Sequence, residues 1–395
     1  MTVLEKSTII GKESLLLLLS ILGFLLYSLS LCVIYFEEKS ITRENFFLIF
    51  VDCLAFFYYS AYLIVMALFF NENYNKTSGT FSLIISLLVF FVLEISGFNS
   101  VDYLLQHLVH MAVASLVLGN LLALWCYVRS LSLPLNEINP KTIGKDTIYC
   151  YLMGREVRPR LFGYLDLKMY VNRVCVVSAV LLDCAFLYRE FVRNWTLQSY
   201  VVNKSFIIIE IMHIIFCLDG VVTEYTFEYS LETQKEGFGY ICSVGYFIYP
   251  FLITTVPYHF LLTKTELATW KIPIIVFLFI VGFLLYRIAN NQKYNFKVNV
   301  LKPGVKFIPT EIKNGKLLCS GLWGFVRHPN YLGDIMMYIS FTGLTITAPA
   351  IMPLMEIPFL IHRSIRDNKL CKEKYGYAWE KYTEKVKYIF IPRIY

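Results

Sequence analysis

The stretch WKIPIIVFLFIVGFLLYR, residues 270–287, decides the fold. Its charges sit at the two ends, and the apolar residues between them show neither strand alternation nor the polar stripe of a surface helix. Eighteen residues rise about 27 Å as an α-helix, which matches a hydrocarbon core of about 30 Å. Comparable runs recur near 14–36, 46–70, 81–98, 103–127, 170–188, 204–222 and 239–262. Two shorter runs follow near 335–348 and 350–362, where Gly343, Pro349 and Pro353 predict a tight helical hairpin. The fold class expected is therefore all-α: a polytopic membrane protein of about ten transmembrane helices.

Composition leads the same way. Of 395 residues, 57% are hydrophobic and 16% charged, and the mean hydropathy is +0.57. A soluble core of this length cannot bury that much apolar surface. The net charge of +7 comes from Lys and Arg between the apolar runs rather than from a basic arm, which argues against a nucleic-acid partner. The connections at 129–168 and 287–334 are basic, so both are expected to face the cytoplasm, as are both termini and the acidic 222–238 loop. The 14–36 run is expected to stay as an anchor, and Asn194-Trp-Thr and Asn203-Lys-Ser are expected to fall on the lumenal side as glycosylation sequons close to the membrane. Without an internal repeat or linker, 1–395 is taken as one domain, with N-terminal helices over 1–128 and cofactor and substrate elements over 129–395.

Ten Cys are scattered without CxxC spacing, against disulfides and a zinc site. His107 and His110 stand at i, i+3, but with no carboxylate partner evident they are taken as a core pair, and no metal is expected. Six His cannot supply the eight-His pattern of membrane di-iron oxygenases, and neither a P-loop nor GxGxxG is present. Asp52, Glu94, Glu210, His213 and Asp219 lie inside apolar runs, where each is either a site or one half of a buried pair.

Three segments can carry chemistry. In LIHRSIRDNKLCKEKYGYAWEKY, 360–382, helical steps align Arg363, Asp367, Cys371, Tyr375, Trp379 and Tyr382 on one stripe. Such a face suits a cleft for a flat, charged ligand or, alternatively, an interfacial helix. Lys293 and Lys297 are four apart after the 270–287 run, placed to converge on a phosphate or to act as positive-inside markers. GLWGFVRHPNYLGD, 321–334, crowds Arg, His, Asn, Tyr and Asp before a spanning helix, a density that favours a buried polar site.

With these residues the chain resembles the C14/C7/C24 sterol reductase family, which includes the membrane domain of the lamin B receptor. The resemblance runs through CYVRS (126–130), MGREVRPR (153–160), DLK (166–168), LDGVVTE (218–224), GFGY (237–240), RIANNQK (287–293), LLCSGLWGFVRHPNYLGD (317–334) and the segments of 362–395. It implies ten helices whose C-terminal half encloses NADPH beside a pocket that admits a sterol from the bilayer. On this chain it assigns the adenosine phosphates to Lys293 and Lys297 and the cofactor lining to Leu318, Trp323, Asn330 and Tyr331, supported by Arg327 and His328. Asp367, the segment Cys371, Lys372, Glu373, Lys374 and Tyr375, and Tyr382 complete the pocket. Reducing an unactivated alkene needs a proton on carbon and then hydride, so Tyr382 is the expected donor, polarised by Arg363 and Asp367. The expected activity is that of an NADPH-dependent Δ14-sterol reductase of the endoplasmic reticulum or nuclear envelope. The middle departs from the family pattern at Asn172, Val174, Cys175, Lys235, Glu236 and Tyr246. Three alternatives therefore stay open: a Δ7 or Δ24(28) reductase, a catalytically degenerate protein like the lamin B receptor, and a SAM-dependent methyltransferase, the last disfavoured by the lysine pair.

Overall fold

The computed structural model describes residues 52–70, 78–196, 202–298, 304–310, 315–345 and 347–392. The 14–36 run and the first residues of the 46–70 run lie outside them. The described chain is mostly helical, and six helices are long and apolar enough to cross a membrane: Ser78–Phe98, Leu108–Ser130, Leu167–Val192, Lys204–Val222, Tyr240–Thr263 and Lys271–Lys297. The shorter apolar helix α1, Cys53–Leu68, accompanies them.

The chain divides into two compact units, the first holding residues up to Asn203 with His213–Lys264, the second Lys204–Met212 with Thr265–Tyr395. In the first unit α1 is followed by α2 (Ser78–Leu93), a wider turn over Glu94–Phe98, α3 (Ser100–Gln106), α4 (Leu108–Ser130), α5 (Thr147–Met153), the two-residue strands β1 (Arg160–Leu161) and β2 (Leu165–Asp166), and α6 (Leu167–Thr196). Then come α7 (Lys204–Val222), of which only the part from His213 belongs to this unit, α8 (Glu224–Phe227), α9 (Leu231–Lys235), α10 (Tyr240–Ile253) and α11 (Thr255–Thr263). The single helix expected over 103–127 is split at His107, whose backbone leaves the helical region (φ −109°, ψ 18°).

Basic residues that read as topology markers are spent inside this unit. Arg129 pairs with Glu156, and Arg158 Nε donates to Asp166 Oδ2 at 2.8 Å. Lys168 Nζ donates to the carbonyls of Glu232 and Glu236, which satisfies backbone acceptors around the end of α9. Arg173 is buried, donating from Nε to Glu224 Oε1 at 2.9 Å and from Nη2 to Ser78 Oγ at 2.6 Å. Tyr246, which departs from the family pattern, donates to Glu232 Oε1 at 2.5 Å. The glycines of MGREV and GFGY have one physical reason: a Cβ on Gly237 would lie 2.0 Å from the Gly154 carbonyl oxygen, so two backbones cross there with no room for a side chain. Asn203 is buried, which disfavours its use as a glycosylation acceptor.

The second unit is built on α12 (Lys271–Lys297) and α13 (Pro329–Phe341). Their axes approach at Gly282 and Gly333, where a Cβ on Gly333 would stand 2.6 Å from Gly282 O and from Tyr286 N. Between them run the antiparallel strands β3 (Phe307–Pro309) and β4 (Lys316–Leu318), with Phe307 opposite Leu318, and a short helical turn, Gly321–Gly324. The expected hairpin is redrawn: α13 already starts at Pro329, and α14 (Ile351–Tyr375) continues through 362 without a boundary, since residues 363–375 contain neither Gly nor Pro. Gly376, at φ +49° and ψ −124°, ends it, and α15 (Tyr377–Lys385) follows.

Candidate functional site

The second unit gathers most of the expected site. The last turns of α12 present Ala289, Gln292 and Lys293 to the turn at 321–324. Trp323 Nε1 donates to the Ala289 carbonyl at 2.9 Å, Leu322 N donates to Gln292 Oε1 at 3.1 Å, and Lys293 Nζ sits 4.1 Å from the centre of the Trp323 ring. Leu318 and Trp323 are buried together against Ala289. Lys297 lies within electrostatic reach of Lys293 and Lys374. Both neighbours repel the Lys297 ammonium, and an anion would relieve that.

Downstream, the 326–328 segment is fixed by residues after α15. Arg327 N donates to Tyr388 O at 2.9 Å and His328 N to Ile389 O at 3.0 Å. The Arg327 guanidinium adds Nε to Val386 O at 2.9 Å, Nη2 to Lys387 O at 3.0 Å and Nη1 to Asn368 Oδ1 at 3.2 Å. His328 stacks on Tyr331 with ring centres 4.8 Å apart and planes 4° from parallel. Burial and then the cations Lys293, Arg327 and Arg363 push the His328 imidazole down to about 3, so it stays neutral in the folded protein. Asn330 Oδ1 is buried without a hydrogen-bond partner, an acceptor waiting for a donor.

The stripe expected from 363 to 382 is interrupted at Gly376, yet its aromatic end closes a small core: Trp379 and Tyr382 are buried, stacked at 4.9 Å, and pack with Cys319, Val386, Cys371 and Tyr375. Lys385 Nζ reaches Cys319 Sγ at 3.2 Å. Within the 371–375 segment, Lys372, Glu373 and Lys374 are exposed while Cys371 and Tyr375 turn inward.

One expectation is corrected. The phenol that meets Asp367 is Tyr331, whose hydroxyl donates to Asp367 Oδ2 at 3.2 Å, and Arg363 and Arg366 act on the same phenol. Tyr382 instead faces Arg327, Cys319 and Cys371. Burial raises its pKa and the Arg327 cation opposes that rise, so the phenol remains protonated at cytoplasmic pH. Stripe spacing missed this because Tyr331 lies on a different helix, α13, and only folding brings it to Asp367. Sequence reasoning also missed Gln292 and Asn368, which hold the 321–328 segment in place. Gln292 lies inside the quoted RIANNQK, next to Lys293, and that adjacency was the available signal.

Outside this site, three of the polar residues inside apolar runs have visible partners. Asp52 Oδ1 caps α1 by accepting from Leu54 N at 2.7 Å, and Glu94 Oε2 accepts from Ser100 Oγ and Val101 N, both at 2.9 Å. His213 Nδ1 lies 2.8 Å from Asp183 Oδ2. His107 has the carboxylate that its sequence neighbourhood does not show: its Nδ1 is 2.8 Å from Asp52 Oδ2.

Comparison with known proteins gives the same answer as the motifs. Residues 36–395 match the model of the ergosterol biosynthesis ERG4/ERG24 family. A chicken (Gallus gallus) protein named Delta(14)-sterol reductase LBR is 31% identical over 298 residues, which are 73% of this chain and 46% of that protein, so the match spans about half its length. A fission yeast (Schizosaccharomyces pombe) Delta(14)-sterol reductase is 29% identical over 76% of this chain and 71% of its own. A probable 7-dehydrocholesterol reductase of Acanthamoeba polyphaga mimivirus is 30% identical over 71% and 63%. Both the 321–334 segment and the strap over 386–389 lie inside the matched region, and the chain belongs to the ergosterol biosynthesis ERG4/ERG24 family.

Proposed function

We propose that this chain is a Δ14-sterol reductase, an oxidoreductase that saturates the C14–C15 double bond of a sterol intermediate with NADPH in the endoplasmic reticulum membrane. The observation that carries the reading is the lysine group at the end of α12, with Lys293 over the indole of Trp323 and Lys297 acted on by Lys293 and Lys374. It suits a dinucleotide with an extra phosphate, and the unpaired Asn330 Oδ1 suits a carboxamide N–H. The six spans and the family relatives support a sterol that enters from surrounding membrane lipid. The ten-helix count and the cytoplasmic termini belong to the same proposal.

NADPH, when bound, supplies the hydride. Lys293 and Lys297 hold the phosphates by charge, while Trp323, Leu318 and the neutral His328 with Tyr331 give flat apolar walls that exclude water. Arg327 fixes the strap that covers the segment. Tyr382 delivers its proton to the alkene carbon, leaving a tertiary cation, and the Arg327 charge steadies the phenolate left behind. Asp367 holds the Tyr331 hydroxyl and so orients the ring under His328.

The test is expression in a sterol-reductase-deficient yeast, with the sterol profile read by mass spectrometry. Disappearance of the Δ14 intermediate is expected, and loss of a Δ7 intermediate instead would move the bond position. Tyr382→Phe is expected to abolish reduction with thermal stability retained, while Tyr331→Phe keeps activity. Full activity in Tyr382→Phe would remove that phenol as the acid.

A further inference from the structure

Among the described residues, the first unit holds two clusters of metal-ligand type. One is Asp183, His213 and Cys217. It is fully buried between α6 and α7, and the same His213 Nδ1 serves Asp183 Oδ2 at 2.8 Å and lies 3.9 Å from Cys217 Sγ. A single ring nitrogen shared by both neighbours, with all three residues buried, describes an interior hydrogen-bonded pair.

The other is different. Asp52, His107 and His110 each offer one ligand atom, and these atoms all lie within 4.8 Å of one another. The side chains of His107 and Asp52 are about a quarter exposed, at 26% and 25%, although His107 Nδ1 itself is covered. Asp52 divides its oxygens: Oδ1 accepts from Leu54 N at 2.7 Å and Ala55 N at 3.3 Å, while Oδ2 faces His107 Nδ1 at 2.8 Å. The carboxylate is thus oriented by the first turn of α1. The His107 ring is set by stacking on Tyr103, 4.3 Å between centres, and by His110 at 5.2 Å. Orientation of ligands by outer groups is what metal sites need.

We propose that Asp52, His107 and His110 form a binding site for a divalent transition ion of the zinc type, joining the starts of α1 and α4 and leaving a further position to water. Four ligands at about 2.0–2.1 Å in a tetrahedron stand about 3.3 Å apart. The present spread of 4.8 Å therefore has to close by at most about 1.5 Å, within reach of rotation about the imidazole χ angles. The positive ends of two helices oppose a cation there. The Asp52 carboxylate offsets this, and two imidazole donors supply the bonding. The i, i+3 spacing of the histidines becomes meaningful only with that carboxylate, which comes from a helix far away in sequence.

The test uses the full chain in detergent or nanodiscs, titrated with ZnCl2 against a fluorescent chelator, with bound metal counted by atomic emission. One equivalent of zinc is expected. His107→Ala and His110→Ala should each weaken binding at least tenfold, the scale on which even outer-shell partners count. Asp52→Asn should do the same while still capping α1, since Asn caps as well as Asp, so it separates lost ligation from lost folding. His213→Ala should bind as the parent does. Absence of saturable zinc binding, binding retained in the His107/His110 double alanine variant, or loss in His213→Ala instead would overturn the proposal.

Discussion

Replacing Gly333 with Ala tests the idea that α12 and α13 form one rigid frame for the 321–331 segment. The added Cβ would lie 2.6 Å from Gly282 O and 2.6 Å from Tyr286 N, both backbone atoms that cannot rotate away. Ordinary contact begins at 3.4 Å, so the helices must separate locally by 0.8 Å (3.4 − 2.6). Overpacking of this kind costs about 1–3 kcal/mol. Because Asn330 and Tyr331 sit just before Gly333 while Lys293 and Trp323 belong to the α12 side, the same shift displaces one wall of the site relative to the other. Misplacement on the scale of 1 Å costs about a hundredfold in rate. We expect Gly333→Ala to insert in the membrane, lose several degrees of thermal stability in detergent, and reduce sterol at least tenfold more slowly. Gly333→Ala with parental stability and turnover would refute the frame, because a backbone contact that close cannot be absorbed silently.

Two further outcomes follow from the site. Lys293→Ala and Lys297→Ala should each raise the KM for NADPH about tenfold or more, the worth of a charge-assisted contact, and affect NADH less; equal effects on both cofactors would detach the pair from phosphate binding. His328 is neutral in the folded chain down to about 3, whereas an unfolded chain protonates it near 6.5. As pH falls through that window only the unfolded state gains the proton, so stability drops, by at most about 1.4 kcal/mol per pH unit. His328→Phe keeps the stack on Tyr331 and should flatten thermal stability between about pH 7 and pH 4; an unchanged slope would mean the imidazole is solvated.

The membrane character was legible because apolar runs such as 270–287 leave no alternative solvent. Breaks inside those runs were not. His107 splits the 103–127 run and Gly376 divides the 363–382 stripe, and both depend on backbone angles that hydropathy does not register. The 321–334 segment was legible as a polar site from residue density alone. Its partners were not, because Arg327 is satisfied by carbonyls 59 and 60 residues downstream and any residue can supply a carbonyl. The Asp52–His107 pair was hidden for a related reason: its halves sit on different helices, and only folding shows that they meet. Glycines 154, 237 and 239 were visible as motif letters, and the crossing of two main chains explains them.

The strap across Arg327 and His328 has a bearing on biogenesis. Its acceptors, Val386 to Ile389, are synthesised only after the six long apolar helices and α13 are complete. The protein can therefore finish insertion while the 326–328 segment is still open, and closure comes as a late step. A chain interrupted by a stop codon before 386 would be threaded correctly through the membrane and still lack the latch that completes it.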